Sequence, residues 1–297
     1  MSAKRFGIGA AFFSLLVVAA ALFCEWGSSY IELPVKFERS NLPYVDVVID
    51  KKVCPLVVDL GSRLDILMHA DVLNQLHKSP FGQEKWKNFL GEVFEQNAFR
   101  LPEIELGSLR FNDPVVVEES PQNIASSTIW NDPNNKDTAR ETVGGIGRGL
   151  LDKRNILFDL EHSKIVFSNN LRKLKKSGYP IQSYIKVPFS MESKGMVVEV
   201  STDFRKLRLL IDSGTTWTIL HEYLFPEGIE KKVSPYGFPE IVSSTFDMGP
   251  AHFGEQRFYF MPMGEELKDI DGFIGMDFIK KHVMYIDFDH KVLYIQA

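Results

Sequence analysis

The segment Leu56-Val57-Val58-Asp59-Leu60-Gly61-Ser62 returns later in the chain as Leu209-Leu210-Ile211-Asp212-Ser213-Gly214-Thr215. In both copies an Ile-Leu pair, Ile66-Leu67 or Ile219-Leu220, begins seven residues after the aspartate. A second pair of segments follows in the same order. Gly145-Ile146-Gly147 precedes Phe158-Asp159 and His162, and Phe273-Ile274-Gly275 precedes Ile286-Asp287 and His290. Each time the aspartate falls 12 residues, and the histidine 15 residues, after the last glycine. Two different patterns repeated in matched order mark a duplicated unit. The chain is thereby restricted to folds built from two similar halves, with Asp59 and Asp212 in equivalent places.

The pattern between these segments is that of a largely β protein: short runs of Val, Ile, Phe and Tyr separated by Gly, Pro, Asn and Asp. Strands are predicted over 44–49, 55–58, 101–106, 114–117, 164–167, 196–200, 207–211 and 283–286, with short helices at 70–76 and near 277–281. The polar stretch 169–183 is where the halves meet, giving an N-terminal lobe over 25–175 and a C-terminal lobe over 176–297. The segment 120–141, crowded with Asn, Asp, Ser, Thr and Pro, reads as a surface loop.

Each Asp-x-Gly-Ser/Thr follows an apolar strand, so the chain delivers an aspartate at the end of a buried strand and then turns sharply. Gly61 and Gly214 supply the freedom the turn needs, and the hydroxyls of Ser62 and Thr215 are in reach of a carboxylate oxygen. A pseudo-two-fold relation between lobes would set Asp59 against Asp212. Two carboxylates that close cannot both ionise cheaply, so they share a proton; one then serves as base toward a water and the other as acid toward a carbonyl.

The sequence resembles the pepsin-like aspartic proteases over nearly everything beyond the N-terminal segment. Asp212-Ser213-Gly214-Thr215-Thr216 is similar to the family's active-site loop, and Asp271-Gly272-Phe273-Ile274-Gly275-Met276-Asp277-Phe278, leading to Tyr285-Ile286-Asp287-Phe288, is similar to its closing segment. The resemblance implies an all-β, bilobal fold with two pseudo-symmetric lobes, a catalytic pair Asp59 and Asp212 supported by Gly61, Ser62, Gly214 and Thr215, and no metal or organic cofactor. This enzyme class is itself the standing example of two acids that share one proton. Two departures stand in the N-terminal half. The family's loop carries Thr or Ser where this chain has Leu60, which removes one hydroxyl from the tie between loops. The family's flap carries a tyrosine near its tip, and no tyrosine occurs between Asp59 and Asp159; Trp86, Phe94 and Phe99 could supply an aromatic lid in its place, but are more simply read as core residues.

The remaining features exclude more than they assign. Among 297 residues, Asp and Glu outnumber Lys and Arg by 39 to 34, a net charge of -5 that gives no basic face for nucleic acid. Lys4 and Arg5 precede an uncharged run from Phe6 to Phe23, the layout of an export signal; residues 1–24 are a cleaved signal peptide or an uncleaved membrane anchor, and the protein is periplasmic, secreted or membrane-anchored. The two cysteines, Cys24 and Cys54, build no disulfide framework, and Cys54 reads as a small buried hydrophobe. His69, His221, His162 and His290 lack metal-ligand spacing and are read as structural, the last two within turns between closing strands. Asp65 reads as a surface or turn residue, and Glu118-Glu119 and Glu265-Glu266 as exposed charge rather than a glycosidase pair. The expected protein is an exported, monomeric aspartic endopeptidase acting on a peptide or protein; the alternative is an impaired relative that binds or regulates.

Overall fold

A computed structural model describes residues 30–119 and 141–296. The predicted signal peptide or anchor at 1–24, Cys24, and the loop at 120–140 lie outside the described residues. Among the described residues no helix is long and apolar enough to cross a membrane.

Alternation of side chains sets the strands. In Pro43–Ile49 the residues Val45, Val47 and Ile49 are buried while Tyr44, Asp46 and Val48 face outward. The next strand, Lys52–Asp59, buries Cys54, Leu56 and Val58 and continues the same face into Leu60. A strand of period two must then present Asp59 to the opposite side. Lys206–Ile211 repeats the arrangement: Leu207, Leu209 and Ile211 enter the core, Ser213 continues their face, and Asp212 points the other way. Predicted strands are thus found at nearly their expected places: several run one to three residues farther at an end, while 101–106 is cut back to Glu103–Leu106 because Pro102 lacks an amide for the ladder. The helices are short, Ala70–Leu73 and Met276–Ile279.

The strands form three sheets, two of ten strands and one of six. In the first half, Ser79–Lys87, Val93–Arg100, Val115–Glu119, Ile66–His69, Gly144–Gly147, Lys52–Asp59, Pro43–Ile49, Glu103–Leu106 and Leu109–Asn112 lie side by side in that order. The short strand Lys36–Phe37 pairs off the path with Pro43–Ile49. In the second half, Lys232–Val233, Pro239–Ser243, Gln256–Met261, Ile219–His221, Gly272–Ile274, Lys206–Ile211, Met196–Thr202, Phe246–Met248 and Ala251–His252 follow the same sequence of neighbours, with Ser190–Met191 in the off-path place. The two orders correspond strand for strand. The six-stranded sheet is symmetric as well: Ile31–Pro34, Lys164–Phe167 and Ile156–Asp159 come from the first half, and Met284–Asp287, Val292–Ile295 and Ile185–Pro188 from the second. The halves join where Ile156–Asp159 pairs antiparallel with Met284–Asp287. This is the duplicated two-lobed β architecture expected from the repeats.

The hairpin of Ser79–Lys87 and Val93–Arg100 is absent from the sequence expectation. Burial alternates along it, but the inward positions are filled largely by polar or small residues, Glu84, Gln96 and Ala98, beside Trp86 and Phe94, so hydrophobicity does not mark the strands. Trp86 and Phe94, expected in the core, stack on each other along this ribbon with ring centroids 4.6 Å apart, and the Trp86 indole N–H donates to Gln96 Oε1 at 2.8 Å. Phe99 packs against the first-half core, as expected.

Candidate active site

Parallel ladders place the two loops. Gly144–Gly147 runs beside Lys52–Asp59 with Gly147 in register with Asp59, and Gly272–Ile274 runs beside Lys206–Ile211 with Ile274 in register with Ile211. Each aspartate thus leaves its sheet at a point braced by the second repeated segment. The loops then approach so closely that neither glycine could carry a side chain: a Cβ on Gly61 would lie 2.5 Å from Asp212 Oδ1, and one on Gly214 would lie 2.6 Å from Asp59 Cγ. Here glycine is required by the opposite aspartate, more than by its own turn.

Asp59 Oδ1 accepts the backbone N–H groups of Gly61 and Ser62, both at 2.9 Å, and Asp212 Oδ1 accepts that of Gly214 at 2.8 Å. Each carboxyl lies against the opposite loop, close enough for the two to share a proton. Orientation therefore comes from backbone amides. The Ser62 hydroxyl, expected on a carboxylate, accepts the Leu64 N–H at 3.3 Å, and Thr215 serves through its carbonyl, which accepts Met276 N–H at 2.9 Å.

Beneath the pair, the loops are tied on one side only. The Ser213 hydroxyl donates to the Val58 carbonyl at 2.6 Å and accepts the Leu60 N–H at 3.0 Å, fully buried. Leu60, at the matching position, has no hydroxyl to return the bond and sits wholly within the first-half core.

Burial raises both carboxyls. Asp59 is raised by burial, opposed by the amides of Ser62 and Gly61, the hydrogen bond with Asp212 and the positive charge of Arg148. Asp212 stands well above the ordinary carboxylate range, first from burial and then from the charge of Asp59. Two acids so placed titrate as a pair. Asp59 accepts two backbone amides and Asp212 one, which favours the anion on Asp59 and the shared proton on Asp212.

The hairpin reaches the other half. The Gly264 N–H donates to the Phe89 carbonyl at 2.9 Å, and Lys87 Nζ meets Glu266 Oε2 at 3.2 Å. A Cβ on Gly264 would lie 2.5 Å from Gly91 Cα, so two glycines cross at this point. Phe89 packs edge-on against Phe273, centroids 6.5 Å apart, within a cluster that includes Met263 and Leu267. Sequence reasoning missed Phe89, Gly264 and Glu266; the one local signal was a glycine, Gly91, inside an otherwise polar ribbon, where it takes φ +85.

Asp65, expected as a surface or turn residue, is half-buried in the bend before Ile66–His69 and accepts the Val115 N–H at 3.0 Å. Glu119 is buried with its carboxylate 3.4 Å from His69 Nε2, so it is not exposed charge, and Glu266 belongs to the hairpin contact. His162 and His290 lie in the predicted turns, each folded onto the aspartate three residues before it. His221 stacks on Tyr223, centroids 4.1 Å apart. Cys54 is free and buried. Among the described residues no group of three His, Cys, Asp or Glu is arranged to hold a metal.

No protein-family model and no curated protein sequence matches this chain. Solved structures do. An aspartic proteinase from Irpex lacteus superimposes with TM-score 0.58 at 12% identity, over 91% of this chain and 97% of its own. Basic 7S globulin from soybean does so with TM-score 0.57 at 11% identity over 90% and 94%, and conglutin gamma, a basic 7S globulin from lupine seeds, with 0.57 at 12% over 91% and 95%. The chain has the pepsin-like aspartic proteinase fold. That fold is common to a proteinase and to globulins, so activity has to be argued from the site.

Proposed function

We propose that this protein is an exported aspartic endopeptidase. The observation that carries the reading is the mutual burial of Asp59 and Asp212, each pressed against the glycine of the other loop. Holding two acids together out of water is costly, and such perturbed pairs cluster at catalytic sites.

The chemistry follows from the unequal carboxyls. Asp59, the anion, takes a proton from a water as the water oxygen attacks the carbonyl carbon of an extended peptide. Asp212 gives its proton to the carbonyl oxygen, and a tetrahedral diol results. Asp59 then passes its proton to the amide nitrogen, a diol hydroxyl returns one to Asp212, and the C–N bond breaks. Every proton is accounted for, and no metal or organic cofactor takes part. The substrate lies beneath the hairpin, which lifts to admit it; as the tip lifts, Phe89 leaves the buried cluster of Met263, Leu267 and Phe273, and the apolar side chains so uncovered favour apolar residues beside the cut. Both acids belong to one chain, so a monomer suffices. Lys4, Arg5 and the apolar run that follows support export, with or without a retained membrane tether.

The test is cleavage of a mixed peptide library by the purified protein from acidic to neutral pH, beside Asp212→Asn. Cutting by the wild type alone supports the proposal; a folded protein that cuts nothing at any pH overturns it. In that event the second reading, a binding or regulatory module, stands. It draws on the missing hydroxyl at Leu60 and on the hairpin tip already seated on the opposite half.

A further inference from the structure

Arg148 directly follows Gly147, the residue in register with Asp59, and is buried, 6% exposed. Its counterpart across the pseudo-two-fold is Met276, which follows Gly275 and is 1% exposed. The backbone of the two is the same: the Arg148 N–H donates to the Ser62 carbonyl and the Met276 N–H to the Thr215 carbonyl, both at 2.9 Å and both three residues past the aspartate. The second half thus shows that an unbranched apolar side chain fills this place. A guanidinium there must give up hydration, and the described residues replace it poorly. Nη2 donates across to the Lys194 carbonyl at 3.1 Å, Nη1 meets only the Met191 sulfur at 3.5 Å, and Nε has no partner. Among the described residues no carboxylate lies within ion-pair distance of it. A buried charge without a partner in contact is costly, so its compensation comes from anions slightly farther away. Asp152, at the C-terminal end of the short helix Arg148–Leu151, is one, and the pair Asp59 and Asp212, whose loop Arg148 adjoins through Gly147 and the Ser62 carbonyl, is the other. Asp65 faces Asp152, and on the other half the Lys194 ammonium is already paired to Asp269 at 2.8 Å and Glu192 to Arg208 at 2.5 Å.

We propose that Arg148 is a positioning residue for the carboxyl pair: a fixed cation, anchored across both halves, that holds the shared negative charge on the Asp59 side. Its consequence for turnover rests on the proteolytic reading; its effect on the pair does not. Removing the cation makes Asp59 harder to ionise, so the first ionisation of the pair moves to higher pH, and in an active enzyme the acid limb of kcat/KM moves with it.

The experiment is titration of the full chain labelled with aspartate 13Cγ, the pair being identified through Asp59→Asn and Asp212→Asn, in wild type, Arg148→Met, Arg148→Gln and Arg148→Lys. The expected result is an upward shift of the first carboxyl midpoint in the Met and Gln variants and a wild-type midpoint in the Lys variant. Arg148→Met suits a site that already accepts methionine in the other half, and Arg148→Gln keeps a donor should Met fail to fold. An unmoved midpoint in a folded neutral variant overturns the proposal. So does a shift produced by Asp152→Asn and absent from Arg148→Met, which would make Asp152 the true counter-charge. Because no substrate is used, a protein that cuts no peptide still answers the question.

Discussion

Ser213 performs a task that Leu60 cannot share. Its hydroxyl satisfies two backbone groups of the opposite loop in a fully buried place, so Ser213→Ala leaves the Leu60 N–H and the Val58 carbonyl without partners. The expected cost is about 2 kcal/mol or more, read as a lower midpoint in urea denaturation, with activity falling further because the pair loses its brace. Asp212→Asn tests the other property of the site. The raised Asp212 carboxyl adds stability in full below the ordinary carboxylate value of about 4, and that contribution is lost as pH climbs through the raised folded value. An asparagine cannot ionise, so the variant should gain on the wild type in melting temperature as pH climbs from about 4 through the raised folded value. Its proteolytic rate should fall by about a thousandfold, the scale of losing a general acid. Equal melting temperatures across that range would contradict the assigned direction.

The hairpin is the element on which access depends. Its tip is held by one backbone hydrogen bond, one exposed ion pair, the glycine crossing and the Phe89 ring; of these the ion pair is weak and salt-screened. The crossing admits no relaxation by side-chain rotation, since backbone meets backbone. Gly264→Ala should therefore unseat the tip without touching the carboxyls. Amide exchange over residues 88–92 is expected to quicken about tenfold, the equivalent of roughly 1.4 kcal/mol, while the Ile156–Asp159 strand keeps its protection. Slow exchange at the tip of the variant would mean that the ring, not the crossing, holds it down. Salt alone should loosen the tip only slightly.

For the molecule as a whole, the six-stranded sheet is the seam. Each half contributes three strands, and they meet in a single pairing of Ile156–Asp159 with Met284–Asp287. Residues 30–178 expressed alone would leave the Ile156–Asp159 edge bare, and an exposed apolar edge seeks another strand. Such a fragment is expected to sediment as an oligomer; a stable monomer with native circular dichroism would show that the halves fold independently.

How much of this was legible depends on distance along the chain. Repetition of Asp-x-Gly-Ser/Thr and of the Gly-containing segment, together with period-two burial in 43–60 and 206–213, determined the duplicated β architecture and the two acids, because both signals live within a few residues. The Leu60 departure could be read for the same reason. What only the tertiary structure decided are the relations between residues far apart: that Gly61 makes way for Asp212, that Ser213 alone ties the loops, and that Phe89 closes on Phe273. The hairpin escaped because its inward face carries Glu84, Gln96 and Ala98 rather than a run of apolar residues, and Arg148 escaped although the repeat aligns it with Met276. A charge in an apolar register looks like a surface residue until packing from the other half buries it.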